Sequence, residues 1–262
     1  MKGKFGFITL AVLSMGLTSC GTMYGTYRDA NKYVIGDQNY QEEINVLDID
    51  WVSGSVTLIE DENIQGVKVE EVTNTTNDKE RVHSYLNDGE LKIKYFASGY
   101  RRLNSSYLKK ELTVTYRPGL SKINIDLTSG SLTAENITAD TFVLDMTSGT
   151  ASINTITAQT VNTDLTSGGI LINSLSAREL ESDLTSGAIE VGFSYIENAD
   201  FDLTSGDIKM TLPEDGGKVK VSKTSGSVNA YRECTISGNT YTFGNGLADI
   251  KVSMTSGKLK IY

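Results

Sequence analysis

The chain has few of the side chains on which most catalytic and metal sites depend. Its 262 residues include one histidine, two cysteines and one tryptophan. The histidine, His83, lies in a polar stretch, so we expect it at the surface. The sequence contains no Gly-x-Ser-x-Gly nucleophile motif, phosphate-binding loop or Cys/His cluster with metal-ligand spacing. We therefore predict a protein without catalytic residues, and we expect no cofactor.

Positive charge is also scarce. Lysine and arginine together number 24, against 33 aspartates and glutamates. Proteins that bind nucleic acids need basic surfaces to neutralise phosphates. The acidic balance therefore argues against a nucleic-acid partner.

The amino-terminal apolar run is too short for a stable membrane span. Lys2 and Lys4 precede an apolar stretch over residues 5–17, as is typical of a secretory signal. The following Leu17-Thr18-Ser19-Cys20 resembles the bacterial lipobox, in which the cysteine is lipidated and becomes the new amino terminus. We predict a signal peptide over 1–19, a lipidated Cys20 and an extracytoplasmic protein whose acyl chains anchor it to a bacterial membrane.

Cleavage at that site would leave one unmodified thiol. Cys234 would then have no partner for an internal disulfide, so it is either a small buried residue or the site of an intermolecular disulfide. Removal of 1–19 takes away two lysines and leaves a net charge of −11. We interpret residues 20–43, which are polar and dotted with tyrosine, as the lipidated cysteine and a tether, part of which could pack as an end cap.

One five-residue phrase dominates the rest of the chain. Asp-Leu-Thr-Ser-Gly, with Met replacing Leu once, recurs so that its glycines are 19 residues apart. A fixed period near 20 without helical spacing predicts a solenoid. The phrase ends at Gly130, Gly149, Gly168, Gly187 and Gly206, and degraded copies end at Gly54, Gly226 and Gly257.

Apolar residues alternate on both sides of each glycine. Those three, five and seven residues before it, and two and four after it, should point inward and stack about 4.8 Å apart in parallel ladders. We predict an all-β fold: a single-stranded parallel β-helix with coils of about 19 residues, right-handed by the usual rule for parallel crossovers. Within the phrase, Leu and Ser should point inward, Asp and Thr outward, and Gly should form the bend.

We assign residues 44–262 to one solenoid domain, with irregular coils over 44–122, regular repeats over 123–212 and looser coils over 213–262. Residues 60–122 lack the phrase, so they form either irregular coils or a small antiparallel sheet that caps the solenoid. The distance from Gly54 to Gly130 is 76 residues, or four periods of 19, which would suit irregular coils.

The outward aspartates form the most conspicuous chemical feature. Residues 126–212 contain 13 acidic side chains and two basic ones. Neighbouring carboxylates one ladder spacing apart repel by about 0.9 kcal/mol in water. The row is either a weak site for Ca²⁺ or a cationic partner, or a solvated face, since one column lacks the six to eight converging oxygens of a calcium site. It comprises Asp126, Asp145, Asp164, Asp183 and Asp202.

A basic, aromatic segment over residues 95–110 is the second candidate. It could bind an anionic envelope polymer or the acidic face of a neighbouring molecule; the alternative is a long hairpin loop with solvated charges. Its candidate binding residues are Tyr100, Arg101, Arg102, Tyr107, Lys109 and Lys110, beside Tyr95 and Phe96.

The repeated Thr-Ser-Gly, after the alternating strand over 112–116 and Pro118, resembles the bacterial “putative adhesin” β-strand repeat family, a domain of unknown function. The resemblance covers about residues 45–262 and implies a parallel β-helix but no catalytic residues. We predict a non-enzymatic binding, adhesion or structural module of the cell envelope, whose partner is an envelope polymer or protein. Alternatives are an accessory lipoprotein of an envelope-sensing system and, more distantly, a polysaccharide-active β-helix enzyme.

Overall fold

A computed structural model describes residues 25–103 and 107–262. The predicted signal peptide and Cys20 lie outside these ranges. Within them the fold is all-β and resembles a β-solenoid, with two short 3₁₀ turns, Ala30–Lys32 and Asp78–Glu80. None of the described helices has the length and apolarity needed to cross a membrane.

Eighteen strands make up the described chain. In chain order they are β1 Val34–Ile35, β2 Gln38–Tyr40, β3 Val46–Trp51, β4 Ser55–Glu60, β5 Val67–Thr73, β6 His83–Asn87, β7 Glu90–Lys94, β8 Lys110–Tyr116, β9 Leu120–Leu127, β10 Ser131–Met146, β11 Thr150–Leu165, β12 Gly169–Thr211, β13 Gly216–Lys223, β14 Ser227–Ala230, β15 Thr235–Ser237, β16 Thr240–Gly244, β17 Ala248–Met254 and β18 Lys258–Ile261.

The central strands pair in parallel with a constant register. From β10 to β11 and from β11 to β12, each residue lies beside the one 19 positions later, as Phe142 does with Val161 and Val161 with Leu180. The inward positions predicted from the glycine alignment are buried throughout 137–210, so this prediction is confirmed. Two of these positions are polar, and they satisfy each other because the Thr163 hydroxyl donates to Ser182 Oγ at 2.8 Å.

Each phrase glycine forms a bend against the glycine of the neighbouring coil. Gly149 has a φ of +119°, and a Cβ on it would lie 2.1 Å from the Gly130 carbonyl oxygen. Only glycine fits this combination of left-handed backbone and close approach. The prediction that the preceding serine points inward is wrong, because the period-2 alternation ends at the bend. Ser148 is only partly buried, and its hydroxyl donates to the Thr128 carbonyl oxygen at 3.2 Å.

The coils do not stack in chain order at the amino-terminal end. β9 pairs directly with β3, and β10 with β4, so Gly130 packs on Gly54. The interpretation of the 76-residue spacing as four intervening periods is therefore wrong. β7 and β8 form a coil on the opposite side of β3 and β4. Residues 60–122 thus supply the outermost coil.

Antiparallel strands cover that outermost coil. β6 pairs with β7 and β5 pairs with β8, both antiparallel. β1 and β2 then add to β6 and β5. Residues 34–40 of the predicted tether therefore lie in the end cap, where their backbone groups complete the sheet edge. The sequence left irregular coils and a capping sheet as alternatives for residues 60–122. The segment contains both a coil and capping strands.

At the carboxyl-terminal end, too, the coils do not stack in chain order. β17 and β18 pair with β12 on one side and with β13 and β14 on the other. The last coil of the chain is therefore inserted between two earlier ones. β16 pairs antiparallel with β13, and β15 extends that cap. Lys223, at a predicted inward position, is exposed and donates to the Gly226 carbonyl oxygen at 2.9 Å.

Candidate binding face of the solenoid

The outward aspartates of the phrase form one continuous column. Asp126 lies between Asp50 and Asp145, and Asp164 lies between Asp145 and Asp183 in the parallel register. Beyond Asp202 the column continues as Ser253 and Ser222. We call the surface formed by Asp50, Asp126, Asp145, Asp164, Asp183 and Asp202 the acidic column.

The fold holds this column rigidly. Each aspartate is followed by a buried apolar residue, such as Leu165 or Leu184, that fixes the strand in the core. After the bend, backbone bonds such as Gly169 N–H to the Gly149 carbonyl oxygen, at 3.0 Å, tie successive coils together. No long loop interrupts the central strands over 131–211. The carboxylates therefore have the regular spacing of the sheet.

Partial burial disfavours the charged form of four carboxylates in the column, Asp126, Asp145, Asp164 and Asp183. For Asp126, burial is the main cause and Asp50 and Asp145 add repulsion, which together raise its pKa to about 6 despite the opposing charge of Lys94. Burial likewise raises the pKa of Asp145, Asp164 and Asp183. Because these side chains remain exposed on one side, the unfavourable charge can be relieved by a cation from solution.

A groove follows the carboxyl-terminal half of the column. It has a volume of about 540 Å³ and is lined by Asp164, Asp183 and Asp202 on one side. The hydroxyl groups of Thr185, Thr204, Thr224 and Thr255 and the side chain of Lys223 also line it. Leu184 and Leu203 contribute to its floor. The groove therefore offers carboxylates in a row, hydroxyl groups beside them and a limited apolar surface.

This arrangement suits a ligand with several separate positive charges better than a single metal ion. The described residues contain no group of three or more His, Cys, Asp or Glu side chains placed to hold a metal. A calcium ion needs six to eight oxygens converging on one point, whereas the column spreads its carboxylates along a line. A flexible polycation could instead place one charge opposite each carboxylate.

The second predicted site, the basic aromatic segment, is not a single surface. Tyr95, Phe96 and Lys110 are buried. Arg102 pairs with Glu80 at 3.2 Å, and the Tyr100 hydroxyl donates to the same carboxylate at 3.0 Å. Of the remaining candidates, Tyr107 is exposed, Lys109 pairs with Glu111 at 3.1 Å, and Arg101 is exposed.

Lys110 is a buried residue at the end of the row of stacked glycines. A Cβ on Gly54 would lie 2.0 Å from the Lys110 carbonyl oxygen, so Lys110 stands where the next glycine would be. Its ammonium group pairs with Glu71 at 2.9 Å and donates to the carbonyl oxygens of Glu80 and Tyr95. The same group lies 4.8 Å from the Trp51 ring centroid. Burial lowers the pKa of Lys110 to about 8, against the opposing effect of Glu71.

The expectation of a surface histidine is wrong. His83 is buried in the cap, and its Nδ1 lies 2.9 Å from the Arg81 carbonyl oxygen. Burial lowers its pKa. The cap strands β1 and β6 enclose a side chain that the polar local sequence placed at the surface.

The solved structures that match the chain have low sequence identity to it. A “putative adhesin” from Bacteroides fragilis is 16% identical, with 88% of this chain and 97% of that chain covered and a TM-score of 0.48. A “putative cell adhesion protein” from Clostridium sporogenes is 17% identical, with coverage of 88% and 99% and a TM-score of 0.43. A “putative lipid binding protein” from Parabacteroides distasonis is 12% identical, with coverage of 88% and 97% and a TM-score of 0.46.

No match was found among curated proteins. Residues 44–238 match the family model described as Toastrack DUF4097. The match spans β3 to β15, including all five copies of the phrase, and ends before β16. The predicted membership of an adhesin-like repeat family of unknown function is confirmed, and the chain belongs to the DUF4097 Toastrack family.

Proposed function

We propose that the protein is a non-enzymatic binding module of the bacterial cell envelope and that the acidic column is its binding face. The observation that carries this proposal is the rigid row of carboxylates with raised pKa values, from Asp126 to Asp183, beside an open groove. A cationic partner would stabilise the charged form of these groups, which burial and, except at Asp164, neighbouring carboxylates disfavour. The partner is a polycationic protein segment or polymer.

The finer architecture belongs to the same proposal. The coils form a right-handed, single-stranded parallel β-helix whose ends are covered by antiparallel strands. Cys20 is lipidated after removal of residues 1–19, and its acyl chains anchor the module to the outer surface of a bacterial membrane. The lipobox-like Leu17-Thr18-Ser19-Cys20 supports the anchor. Mass spectrometry of the membrane fraction should find the acylated cysteine, and an unmodified Cys20 there would contradict it.

Calorimetric titration with decalysine tests the binding face. A variant with Asp164→Asn, Asp183→Asn and Asp202→Asn loses three charges at the groove. Each exposed ion pair contributes about 0.2–1 kcal/mol, so the variant should bind about threefold to about 150-fold more weakly than the wild type.

A control variant of equal net charge separates this site from overall attraction. Glu43→Gln, Glu62→Gln and Asp140→Asn neutralise three exposed carboxylates away from the groove. The control should bind decalysine nearly as well as the wild type. Equal weakening in both variants would contradict a defined binding face. Calcium, titrated in parallel, should produce little heat; strong calcium binding abolished by the groove variant would replace the polycation with a metal ion.

A further inference from the structure

A second cleft lies between the first described residues and the amino-terminal coil. It has a volume of about 400 Å³ and is formed by the segment that carries Tyr27, Arg28 and Tyr33, by β3, and by β6 and β7. Most small-molecule sites are clefts of about 300–1,000 Å³ that combine aromatic walls with a few polar groups. None of the residues that line the cleft belongs to the acidic column or to the basic aromatic segment.

Three tyrosines form its wall. The ring centroids of Tyr27 and Tyr33 are 4.6 Å apart, and those of Tyr33 and Tyr85 are 5.3 Å apart. All three rings are half-buried, so each keeps part of its surface accessible. The Tyr27 hydroxyl donates to the Phe96 carbonyl oxygen at 3.1 Å, and the Tyr85 hydroxyl donates to Asn87 at 3.0 Å. The wall is therefore fixed before any ligand enters.

The charged side chains of the cleft are paired, with one exception. Lys94 pairs with Asp48 at 3.3 Å, Lys92 with Glu90 at 3.1 Å and Asp29 with Lys32 at 3.0 Å. Arg28 lines the cleft, yet within the described residues its guanidinium has neither a hydrogen bond nor an ion pair. The cleft therefore presents one uncompensated positive group with five N–H donors, which suits a planar carboxylate.

We propose that this cleft binds an acidic sugar, with the sugar ring against the tyrosine wall and its carboxylate on Arg28. An aromatic face offers the apolar contact that the C–H side of a sugar ring needs, while Asp29 and Asp48 can accept hydrogen bonds from its hydroxyl groups. A simple inorganic anion would leave the aromatic wall unused. The cleft borders the amino-terminal end of the acidic column, since Lys94 also lies 3.7 Å from Asp50, but its ligand has the opposite charge to that of the column.

Titration of the full chain with D-glucuronic acid, D-glucose and inorganic phosphate tests the ligand class. Glucuronic acid should bind at least about tenfold more tightly than glucose, which corresponds to about 1.4 kcal/mol. Phosphate should compete weakly. Phosphate that competes as well as glucuronic acid, or an absence of glucuronic acid binding, would overturn the proposal.

Substitutions locate the site. Arg28→Gln should reduce glucuronic acid affinity about tenfold and leave glucose affinity unchanged, because it removes the carboxylate partner. Arg117→Gln is the control, since it removes one exposed arginine elsewhere. Tyr33→Leu should weaken binding of both sugars, with its melting temperature measured to check the fold. Equal affinities in the Arg28 and Arg117 variants would overturn the assignment.

Two further probes distinguish the sources of the sugar. A soluble hyaluronan tetrasaccharide represents a polysaccharide, and vesicles that carry a glucuronosyl glycolipid represent the membrane. Binding of the tetrasaccharide supports the proposal with a polymer as the ligand, and binding of the vesicles alone supports it with a glycolipid. If Arg28→Gln leaves the binding of both probes unchanged, the proposal fails.

Discussion

Two adjacent glycines in one bend provide a sharp test of the architecture. Gly168 has a φ of +121°, and an added Cβ would lie 2.1 Å from the Gly149 carbonyl oxygen and 2.9 Å from its nitrogen. These are backbone atoms, so no side-chain rotation can relieve the clash. At Gly169 the nearest atom to an added Cβ is the Ala188 carbonyl oxygen, at 3.9 Å. The two positions share a sequence context but differ in their packing.

The two substitutions should change the free energy of unfolding in opposite directions. Gly168→Ala places an L-residue in an unfavourable backbone region, at a cost of about 1–3 kcal/mol, and overpacks the stack by about 1–3 kcal/mol more. We therefore expect a loss of about 2–6 kcal/mol. Gly169→Ala fits without a clash and lowers the entropy of the unfolded chain, so it should stabilise by about 0.4–1 kcal/mol.

Thermal unfolding of the two variants and the wild type measures the difference. For a domain of this size, 1 kcal/mol corresponds to about 2–4 °C in Tm, so Gly168→Ala should lower Tm by at least about 4 °C. Gly169→Ala should keep or slightly raise it. Equal Tm changes in the two variants would refute the inference that the phrase glycine is required by a strained, close-packed bend.

Two further predictions concern buried and crowded charges. Asp126 has a folded-state pKa of about 6, above its ordinary value of 3.8, so its contribution to stability is present below about pH 4 and is lost as pH rises through about 6. Asp126→Asn should therefore raise Tm at pH 7 and flatten its pH dependence, whereas Asp140→Asn should not; identical pH profiles would contradict this. Lys110→Met leaves Glu71 buried without its partner and should cost about 3–5 kcal/mol in urea denaturation. Exposed Lys109→Met should cost at most about 1 kcal/mol, and equal losses for the two lysines would contradict the buried pair.

The repeats could be predicted well because every coil meets the same environment. Residues such as Leu144, Ile153 and Ile156 alternate in step with the strand, and all are buried. The serine before each glycine could not be placed by the same rule. Ser148 lies where the strand bends, and its hydroxyl finds a carbonyl group in the neighbouring coil, which alternation alone does not reveal.

The order of the coils could not be predicted from spacing. Gly54 ends a degraded copy of the phrase and Gly130 a complete one, and neither sequence shows whether other coils separate them in space. Their direct contact requires β7 and β8 to lie on the far side of β3 and β4, where antiparallel strands that lack the phrase cover them. The same limit applies to β17 and β18, which pair with both neighbours although they come last in the chain.

The candidate sites differ in how far the sequence could locate them. The acidic column follows from the register, since residues 19 apart lie side by side. The basic aromatic segment does not form a single surface, because Lys110 pairs with Glu71 and Arg102 pairs with Glu80. Both glutamates are distant from the segment in sequence. The tyrosine cleft had no local signal, since it joins residues 27–33 to side chains on β3, β6 and β7.

Hydrogen exchange of the full chain with and without decalysine tests the proposed binding face most directly. The proposal predicts slower exchange in peptides that contain Asp164, Asp183 and Asp202, because the ligand would lie along the groove that they line. Exchange in the amino-terminal cap should stay unchanged. Protection confined to the cap, or equal protection in the Asp164→Asn, Asp183→Asn, Asp202→Asn variant, would contradict the assignment of the acidic column as the binding face.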